Sequence, residues 1–140
     1  MQANTDKIFV YGTLRKSLKN PNFSFISKHG KFLGEGYVYA KLYDIGEYPG
    51  AIPAKKVKLK GEIYEFNPKK SSEILRNLDQ YEGIELNNPQ NEYKREETKV
   101  RLTNGKQTQA WIYWYQLPIS ERKRIKTDDY VLFVEKKNKS

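Results

Sequence analysis

Short apolar runs separated by turn residues fill the first third of the chain, a pattern typical of β-strands. The first run covers residues 8–11, is β-branched and aromatic, and ends at Gly12, which predicts a buried strand followed by a loop. A second run, rich in Tyr, Val and Phe, covers residues 32–45 and contains Gly34 and Gly36. Glycines inside a strand often mark a bulge or a close approach of two backbones, so we expect such a feature here.

Alternation is clearest between residues 57 and 66, where every second position is apolar or glycine up to Ile63 and the positions between are charged. This period of two predicts a strand with one face in water. Residues 46–50 have the proline and glycines of a turn, and residues 51–53 predict a short strand of their own after it.

Helical spacing is present at residues 71–82. The apolar residues there recur at intervals of one, three and three, at Ile74, Leu75, Leu78 and Tyr81. These positions share one face of a helix, and Gly83 is placed to end it. A weaker pattern at residues 23–27 predicts one or two helical turns.

The last two predicted strands form a hairpin. Residues 93–102 are rich in charged side chains, which alternate with uncharged ones from residue 97 on. Residues 108–115 form an aromatic run, and Asn104-Gly105 lies between the two segments. Asn-Gly between two such runs is a strong hairpin signal.

Most of these strands follow one another through turns rather than through helices. That order indicates an α+β fold, a small, mostly antiparallel β-barrel with flanking helices. The length of 140 residues fits a single domain over residues 1–140.

The net charge and the cysteine and histidine counts narrow the possible functions. The formal net charge of +9 is typical of proteins that bind nucleic acid or anionic membranes. The chain has no cysteine, and this excludes disulfides, thiolate nucleophiles and Cys-ligated metals. It has one histidine, His29. No apolar stretch is long enough for a membrane span, and no apolar signal region follows Met1, so we expect a cytoplasmic protein.

Four common catalytic and nucleotide-binding motifs are missing, since the sequence has no G-x-G-x-x-G, G-x-x-x-x-G-K-[ST], G-x-S-x-G or H-E-x-x-H.

A pair of carboxylates is the first candidate for a catalytic group. Asp79 and Glu82 lie at the C-terminal end of the predicted helix, where like charge and the helix dipole both raise a carboxyl pKa toward the range of a general base. The alternative is that Glu82 is a solvated helix-end residue.

The second candidate is the turn Tyr11-Gly12-Thr13-Leu14, directly after the first strand. A buried strand that ends in glycine leaves the next backbone N–H groups free to point outward together, and such an arrangement binds a carboxylate or a developing oxyanion. The alternative is an ordinary β-turn capped by the threonine hydroxyl.

Five short motifs occur in order along the chain. They are Val10-Tyr11-Gly12-Thr13-Leu14-Arg15, Tyr48-Pro49-Gly50, Gly61-Glu62-Ile63-Tyr64, Leu78-Asp79-Gln80-Tyr81-Glu82-Gly83, and the hairpin pieces Tyr93-Lys94-Arg95 and Ala110-Trp111-Ile112-Tyr113. Together they resemble the γ-glutamylcyclotransferase-like superfamily, in particular its branch of γ-glutamylamine cyclotransferase and AIG2-like proteins. The resemblance covers about residues 7–117 and leaves residues 118–140 as a basic C-terminal extension with a short apolar segment.

The resemblance implies a small β-barrel with flanking helices and one cavity. In such a protein Glu82 is the catalytic acid/base, and the turn that binds the γ-glutamyl substrate consists of Tyr11, Gly12, Thr13 and Leu14. A hydroxyl of the last strand is also expected to contact the substrate, with Tyr115 preferred over Tyr113.

The implied reaction cyclises the γ-glutamyl group of a γ-glutamylamine, or of a related γ-glutamyl amide, to 5-oxoproline and releases the amine. The substrate supplies its own nucleophile, so we expect no metal and no organic cofactor. The expected partner is the small-molecule γ-glutamyl substrate, with neither nucleic acid nor membrane, and the sequence leaves the oligomeric state open.

Two rival functions remain. One is a non-catalytic or differently specific γ-glutamyl-compound-binding member of the same fold. The other is a basic single-stranded nucleic-acid-binding domain, in which bases stack on Trp111, Tyr113 and Tyr115. An aromatic face on a central strand more often belongs to the core, so we favour the enzyme.

Overall fold

A computed structural model of the protein describes residues 5–11, 23–45, 49–85, 88, 90–119, 122–125, 130 and 134. The elements within these ranges are β1 (Lys7–Val10), α1 (Phe23–His29), β2 (Gly30–Asp44), β3 (Pro49–Phe66), α2 (Ser71–Tyr81), β4 (Tyr93–Leu102), β5 (Gln107–Tyr115) and β6 (Lys123–Ile125).

Five of the strands close into a barrel. The order is β3-β1-β5-β4-β2, and β2 pairs again with β3 to complete the ring. The pairing of β1 with β5 is parallel, and the other pairings are antiparallel. The expected α+β fold, a small, mostly antiparallel β-barrel with flanking helices, is therefore confirmed. None of the helices in the described ranges has the length and apolar character that a membrane span requires.

The strand β3 is longer than the sequence indicated. We expected a turn through residue 50 and separate strands at 51–53 and 57–66, whereas one strand runs from Pro49 to Phe66. Its pairing with β2 jumps from Lys58 to Pro53, so the residues between them form an irregular bulge instead of ending the strand. The expectation of two strands was wrong because β2 continues beside both segments and keeps them in one sheet.

Glycines have two different roles in this sheet. At Gly34 the backbone φ is +138° and the β2–β3 register shifts, as the predicted bulge requires. At Gly61 an added Cβ would lie 2.4 Å from the Phe9 ring and 2.5 Å from the Val10 carbonyl oxygen. β1 and β3 can therefore pack at this point only because residue 61 has no side chain.

One predicted exposed position of β3 is buried. Lys58 and Lys60 are exposed as expected, but Glu62 is only 5 % exposed. Glu62 pairs with Val10 on one side, and its Oε1 accepts a hydrogen bond from the Tyr64 hydroxyl at 3.1 Å. The prediction of a fully wet face was therefore wrong at this position, where strands lie on both sides of β3.

Two apolar clusters result from the alternation along the strands. One fills the barrel and includes Phe9, Tyr11, Ile112 and Trp114. The other lies between the barrel wall and the helices, and includes Ile8, Val10, Ile74, Leu75, Leu78, Tyr113 and Tyr115. Successive residues of β1 and β5 thus face opposite sides, and α2 covers the outer side with Ile74, Leu75 and Leu78. Tyr81, which the spacing also assigned to this face, is 40% exposed, so the prediction was wrong at that position.

The C-terminal region contributes to the barrel. β6, which the sequence did not predict, pairs with the end of β2 through contacts such as Leu42 with Ile125. Ile125 and Tyr130 are 4 % and 5 % exposed and belong to the cluster inside the barrel.

Candidate active site

The C-terminal end of α2 holds Glu82 in a fixed turn. Glu82 is the C-cap residue, with φ −79° and ψ 1°, and Gly83 follows with φ +71°. The Gly83 N–H donates to the Gln80 carbonyl at 3.0 Å, and the Ile84 N–H donates to the Asp79 carbonyl at 2.9 Å. These two bonds are those of a Schellman motif, so the helix ends at a defined place and Glu82 lies at its last turn.

The Glu82 carboxyl favours its protonated form. Burial raises its pKa to about 7, with further contributions from the negative charges of Asp79 and Glu92. The sequence predicted the direction of this change from Asp79 and the helix end, and it did not identify burial as the largest cause or Glu92 as a neighbour. A carboxyl with a pKa near neutrality can both accept and return a proton in cellular conditions.

Tyr11, the first residue of the predicted substrate-binding turn, lies close enough to this carboxyl for its charge to act on the tyrosine hydroxyl. Its hydroxyl is buried, donates a hydrogen bond to the Tyr113 carbonyl at 2.6 Å and accepts one from the Ala51 N–H at 3.3 Å. Burial and the charge of Glu82 raise the pKa of this hydroxyl above its ordinary value. The structure therefore brings together two site residues that are far apart in sequence, Tyr11 and Glu82.

The rest of the predicted turn cannot be placed in the same way. Gly12, Thr13 and Leu14 lie outside the described residues, as does Tyr48 of the Tyr-Pro-Gly motif. Their role in binding stays a prediction.

Asp79 joins the end of α2 to the sheet. Its Oδ1 accepts hydrogen bonds from the Tyr113 hydroxyl and from Arg95 Nε, both at 2.8 Å, and its Oδ2 accepts one from Arg95 Nη2 at 3.2 Å. The Arg95 guanidinium also lies 4.3 Å from the centre of the Trp111 ring. Arg95 was not among the residues predicted for the site, although it lies in the Tyr93-Lys94-Arg95 motif.

The hydroxyl of Tyr113, rather than that of Tyr115, contacts Asp79 and is affected by the charge of Glu82. Burial, the Asp79 carboxylate and the charge of Glu82 raise the pKa of the Tyr113 hydroxyl above its ordinary value, against an opposing effect of Arg95. The Tyr115 ring packs edge-on against Tyr93 at 5.7 Å. A contact between Tyr115 and a substrate stays a prediction.

The Tyr115 ring also fills space at the start of β3. A Cβ added to Gly50 would lie 2.7 Å from Tyr115 Cγ, and the Tyr93 hydroxyl donates to the Pro49 carbonyl at 2.6 Å. Tyr113 and Tyr115 are 5 % and 3 % exposed, so neither ring offers a face on which a base could stack.

In the described part of the chain, no group of three or more His, Cys, Asp or Glu side chains is arranged to hold a metal ion. His29 ends α1 with its ring 4.7 Å from that of Phe25.

Comparison with known proteins gives a consistent family. The sequence matches the family described as gamma-glutamyl cyclotransferase, AIG2-like, over residues 8–132. It is 31% identical over 126 residues to the gamma-glutamylcyclotransferase family protein YtfP of Escherichia coli K12, a match that covers 89% of this chain and 96% of that protein.

Solved structures agree with this result. Protein PH0828 from Pyrococcus horikoshii superposes with a TM-score of 0.66 at 28% identity, over 96% of this chain and 98% of that one. An AIG2-like protein from Mus musculus superposes with a TM-score of 0.65 at 28% identity, over 85% and 82% of the two chains. The barrel and its helices are thus shared with both proteins.

Proposed function

The chain belongs to the gamma-glutamyl cyclotransferase, AIG2-like family, and from this premise we propose that it cyclises the γ-glutamyl group of a γ-glutamyl amide to 5-oxoproline, with release of an amine. The preferred substrate class is the γ-glutamylamines. The observation that supports this proposal most is the Glu82 carboxyl, whose pKa is raised to about 7 beside the Tyr11 hydroxyl.

The reaction needs no nucleophile from the protein. The α-amino nitrogen of the substrate attacks the γ-carbonyl carbon, a C–N bond forms within the five-membered ring, and the C–N bond to the leaving amine breaks. Well-oriented intramolecular reactions reach effective molarities of ~10⁵–10⁸ M. The protein therefore has to fold the substrate into the reactive conformation and to move protons.

Glu82 is suited to the proton transfers. A peptide α-ammonium group has an ordinary pKa of about 7.7–8.0, and the free α-carboxylate of a γ-glutamyl compound raises the pKa of its ammonium above that range. The raised pKa of Glu82, about 7, narrows the gap to this ammonium and so lowers the cost of the proton transfer. Glu82 would take one proton from the ammonium before attack and give it to the leaving nitrogen as the amide bond breaks. The attacking nitrogen loses a second proton as it becomes the lactam N–H, and this proton leaves on the released amine as its ammonium. General acid/base catalysis of this kind contributes typically ~10²–10⁴-fold.

The turn that begins at Tyr11 would hold the substrate. Backbone N–H groups of Gly12, Thr13 and Leu14 can bind the substrate carboxylate or the carbonyl oxygen as negative charge develops there. The position of Tyr11, whose hydroxyl the charge of Glu82 reaches, supports this assignment.

A member of this fold with another leaving group, or without activity, is the main alternative. A panel of γ-glutamyl compounds with amino acid, alkylamine and lysine side-chain leaving groups separates these cases. We expect 5-oxoproline and free amine in equal amounts, with the γ-glutamylamines turned over fastest. Absence of 5-oxoproline from every compound would contradict the proposed activity.

A further inference from the structure

The Asp79 carboxylate is bound by two neighbouring strands at once. Arg95 of β4 and Tyr113 of β5 lie directly opposite each other in the antiparallel pair, and both donate to this carboxylate. Arg95 binds both oxygens, at 2.8 and 3.2 Å, so the orientation of the carboxylate is fixed as well as its place.

Arg95 is itself held in position. Its guanidinium stacks on the Trp111 ring at 4.3 Å, and the Trp111 indole N–H donates to the Thr5 carbonyl at 2.8 Å. The Arg95 and Asp79 side chains are each 22% exposed, so solvent screens their ion pair less than it screens a pair on the open surface.

The main chain of Asp79 fixes the other side of the site. Its carbonyl accepts the Ile84 N–H and thereby closes the turn that carries Glu82 and Gly83. Asp79 thus has two contacts. Its side chain binds the sheet, and its carbonyl oxygen binds the turn that holds the Glu82 carboxyl.

Charged and titratable groups surround Glu82 from several elements. Asp79 lies on the same helix, Glu92 precedes β4, and the hydroxyls of Tyr11 and Tyr113 come from the N-terminal strand region and β5. Both carboxylates favour the protonated form of Glu82. The Arg95 cation is paired with Asp79, the carboxylate with the larger effect.

We propose that Asp79 is a positioning residue, which Arg95 and Tyr113 hold against the sheet so that its charge and its carbonyl oxygen set the proton affinity and the place of the Glu82 carboxyl. The catalytic meaning of this arrangement rests on the proposed function, whereas the arrangement itself can be measured without turnover. Asp79 does not touch the reacting atoms in this account and acts through Glu82.

The proposal predicts opposite effects from two substitutions. Asp79→Asn removes a negative charge, so the pKa of Glu82 falls by about one pH unit. Arg95→Met leaves the Asp79 charge unpaired, so the pKa of Glu82 rises. Both variants remove the same ion pair between α2 and the sheet, and the loss of a purely structural pair would therefore not move the pKa in opposite directions.

The measurement is an NMR titration of the protein labelled with ¹³C at the glutamate carboxyls, with the Glu82 resonance assigned from its loss in Glu82→Gln. Glu73→Gln and Arg76→Met are the matched controls, because both residues are exposed on the same helix. We expect these controls to leave the Glu82 midpoint unchanged. The proposal is wrong if the Asp79 and Arg95 variants shift the midpoint in the same direction or do not shift it.

Arg95→Lys keeps the test usable if Asp79→Asn does not fold. Arg95→Lys preserves the positive charge, so its Glu82 titration midpoint should lie close to the wild-type value. The Glu82 midpoint of Arg95→Met should lie above both. A wild-type midpoint in Arg95→Met would overturn the proposal. Shifted midpoints in a protein that releases no 5-oxoproline would contradict the proposed function alone, and unshifted midpoints in an active enzyme would contradict the positioning role alone.

Discussion

Protonation of Glu82 stabilises the folded chain, because burial and two like charges favour the protonated carboxyl. Its pKa is about 7 in the folded chain, against an ordinary value of 4.5. Between those values the folded chain binds more protons than the unfolded chain, so the free energy of unfolding falls as the pH rises from about 4.5 through about 7. Ionised Glu82 therefore costs stability at the pH where it would act as a base.

Glu82→Gln should remove that cost. We expect the variant to gain stability relative to wild type as the pH rises from 5 to 8, by at most about 3 kcal/mol, since each pKa unit corresponds to about 1.4 kcal/mol. Urea unfolding of both proteins at the two pH values measures the difference, with Glu73→Gln as a control for the loss of an exposed charge. A difference between wild type and variant that does not change with pH would contradict the raised pKa.

The last turn of α2 is where local sequence predicts structure best. The spacing of apolar residues and the position of Gly83 predicted a helix over 71–82, and the helix runs from Ser71 to Tyr81 with Glu82 as its cap. Such a prediction succeeds because helix periodicity and the preference of glycine for positive φ both act within a few residues.

Gly83→Ala tests how firmly this turn is set. The backbone φ is +71°, and a Cβ at this position has no neighbour within 4 Å, so the cost is conformational and not steric. We expect a loss of about 1 kcal/mol in the free energy of unfolding, and a smaller loss for Gly83→Asn, because asparagine tolerates this conformation. Urea unfolding measures both, with Asn77→Ala on the exposed face as a control. No loss in Gly83→Ala would show that the turn adopts another conformation in solution.

The register of the β4–β5 hairpin could not be predicted in the same way. Asn104-Gly105 indicates a hairpin, but a two-residue turn there would place Arg95 opposite Trp114. In the structure, Leu102 N–H donates to the Lys106 carbonyl around a three-residue loop with Gly105 at φ +90°, and Arg95 lies opposite Tyr113. A shift of one residue reverses which side chains share a face, so the Asp79 contacts depend on a loop length that the dipeptide does not determine.

At the scale of the whole molecule, barrel closure brings the site together. The parallel pairing of Ile8 with Trp111 places β1 beside β5, and Tyr11 then reaches the Tyr113 carbonyl across that pair. These residues are about a hundred positions apart, and no local pattern specifies their contact. The prediction that Tyr11 and Glu82 belong to one site therefore came from the resemblance to a family, and not from periodicity.

The net charge of +9 first pointed toward nucleic acid or membranes. The aromatic residues that such a partner would need on β5 are largely buried, with Tyr113 and Tyr115 in the cluster between the barrel and the helices. Absence of a nucleic-acid partner and a cytoplasmic location both stay predictions.

Ile125→Ala tests whether the C-terminal region belongs to the barrel. Ile125 is 4 % exposed in the interior cluster and pairs with Leu42, so its truncation leaves a cavity in the core. We expect a loss of about 2–4 kcal/mol in the free energy of unfolding. Arg124→Ala, at the exposed neighbouring position, should change it by less than about 0.5 kcal/mol. Equal effects of the two substitutions would mean that β6 does not pack against the barrel.

The role of Glu82 is measured by the release of 5-oxoproline from a γ-glutamylamine, compared between wild-type protein and Glu82→Gln. We expect wild type to form 5-oxoproline and amine in equal amounts, at a rate that rises as the pH passes about 7. We also expect Glu82→Gln to remain folded and to lose activity by ~10²–10⁴-fold or more. A folded Glu82→Gln variant with turnover close to that of wild type would contradict the assignment of Glu82 as the acid/base.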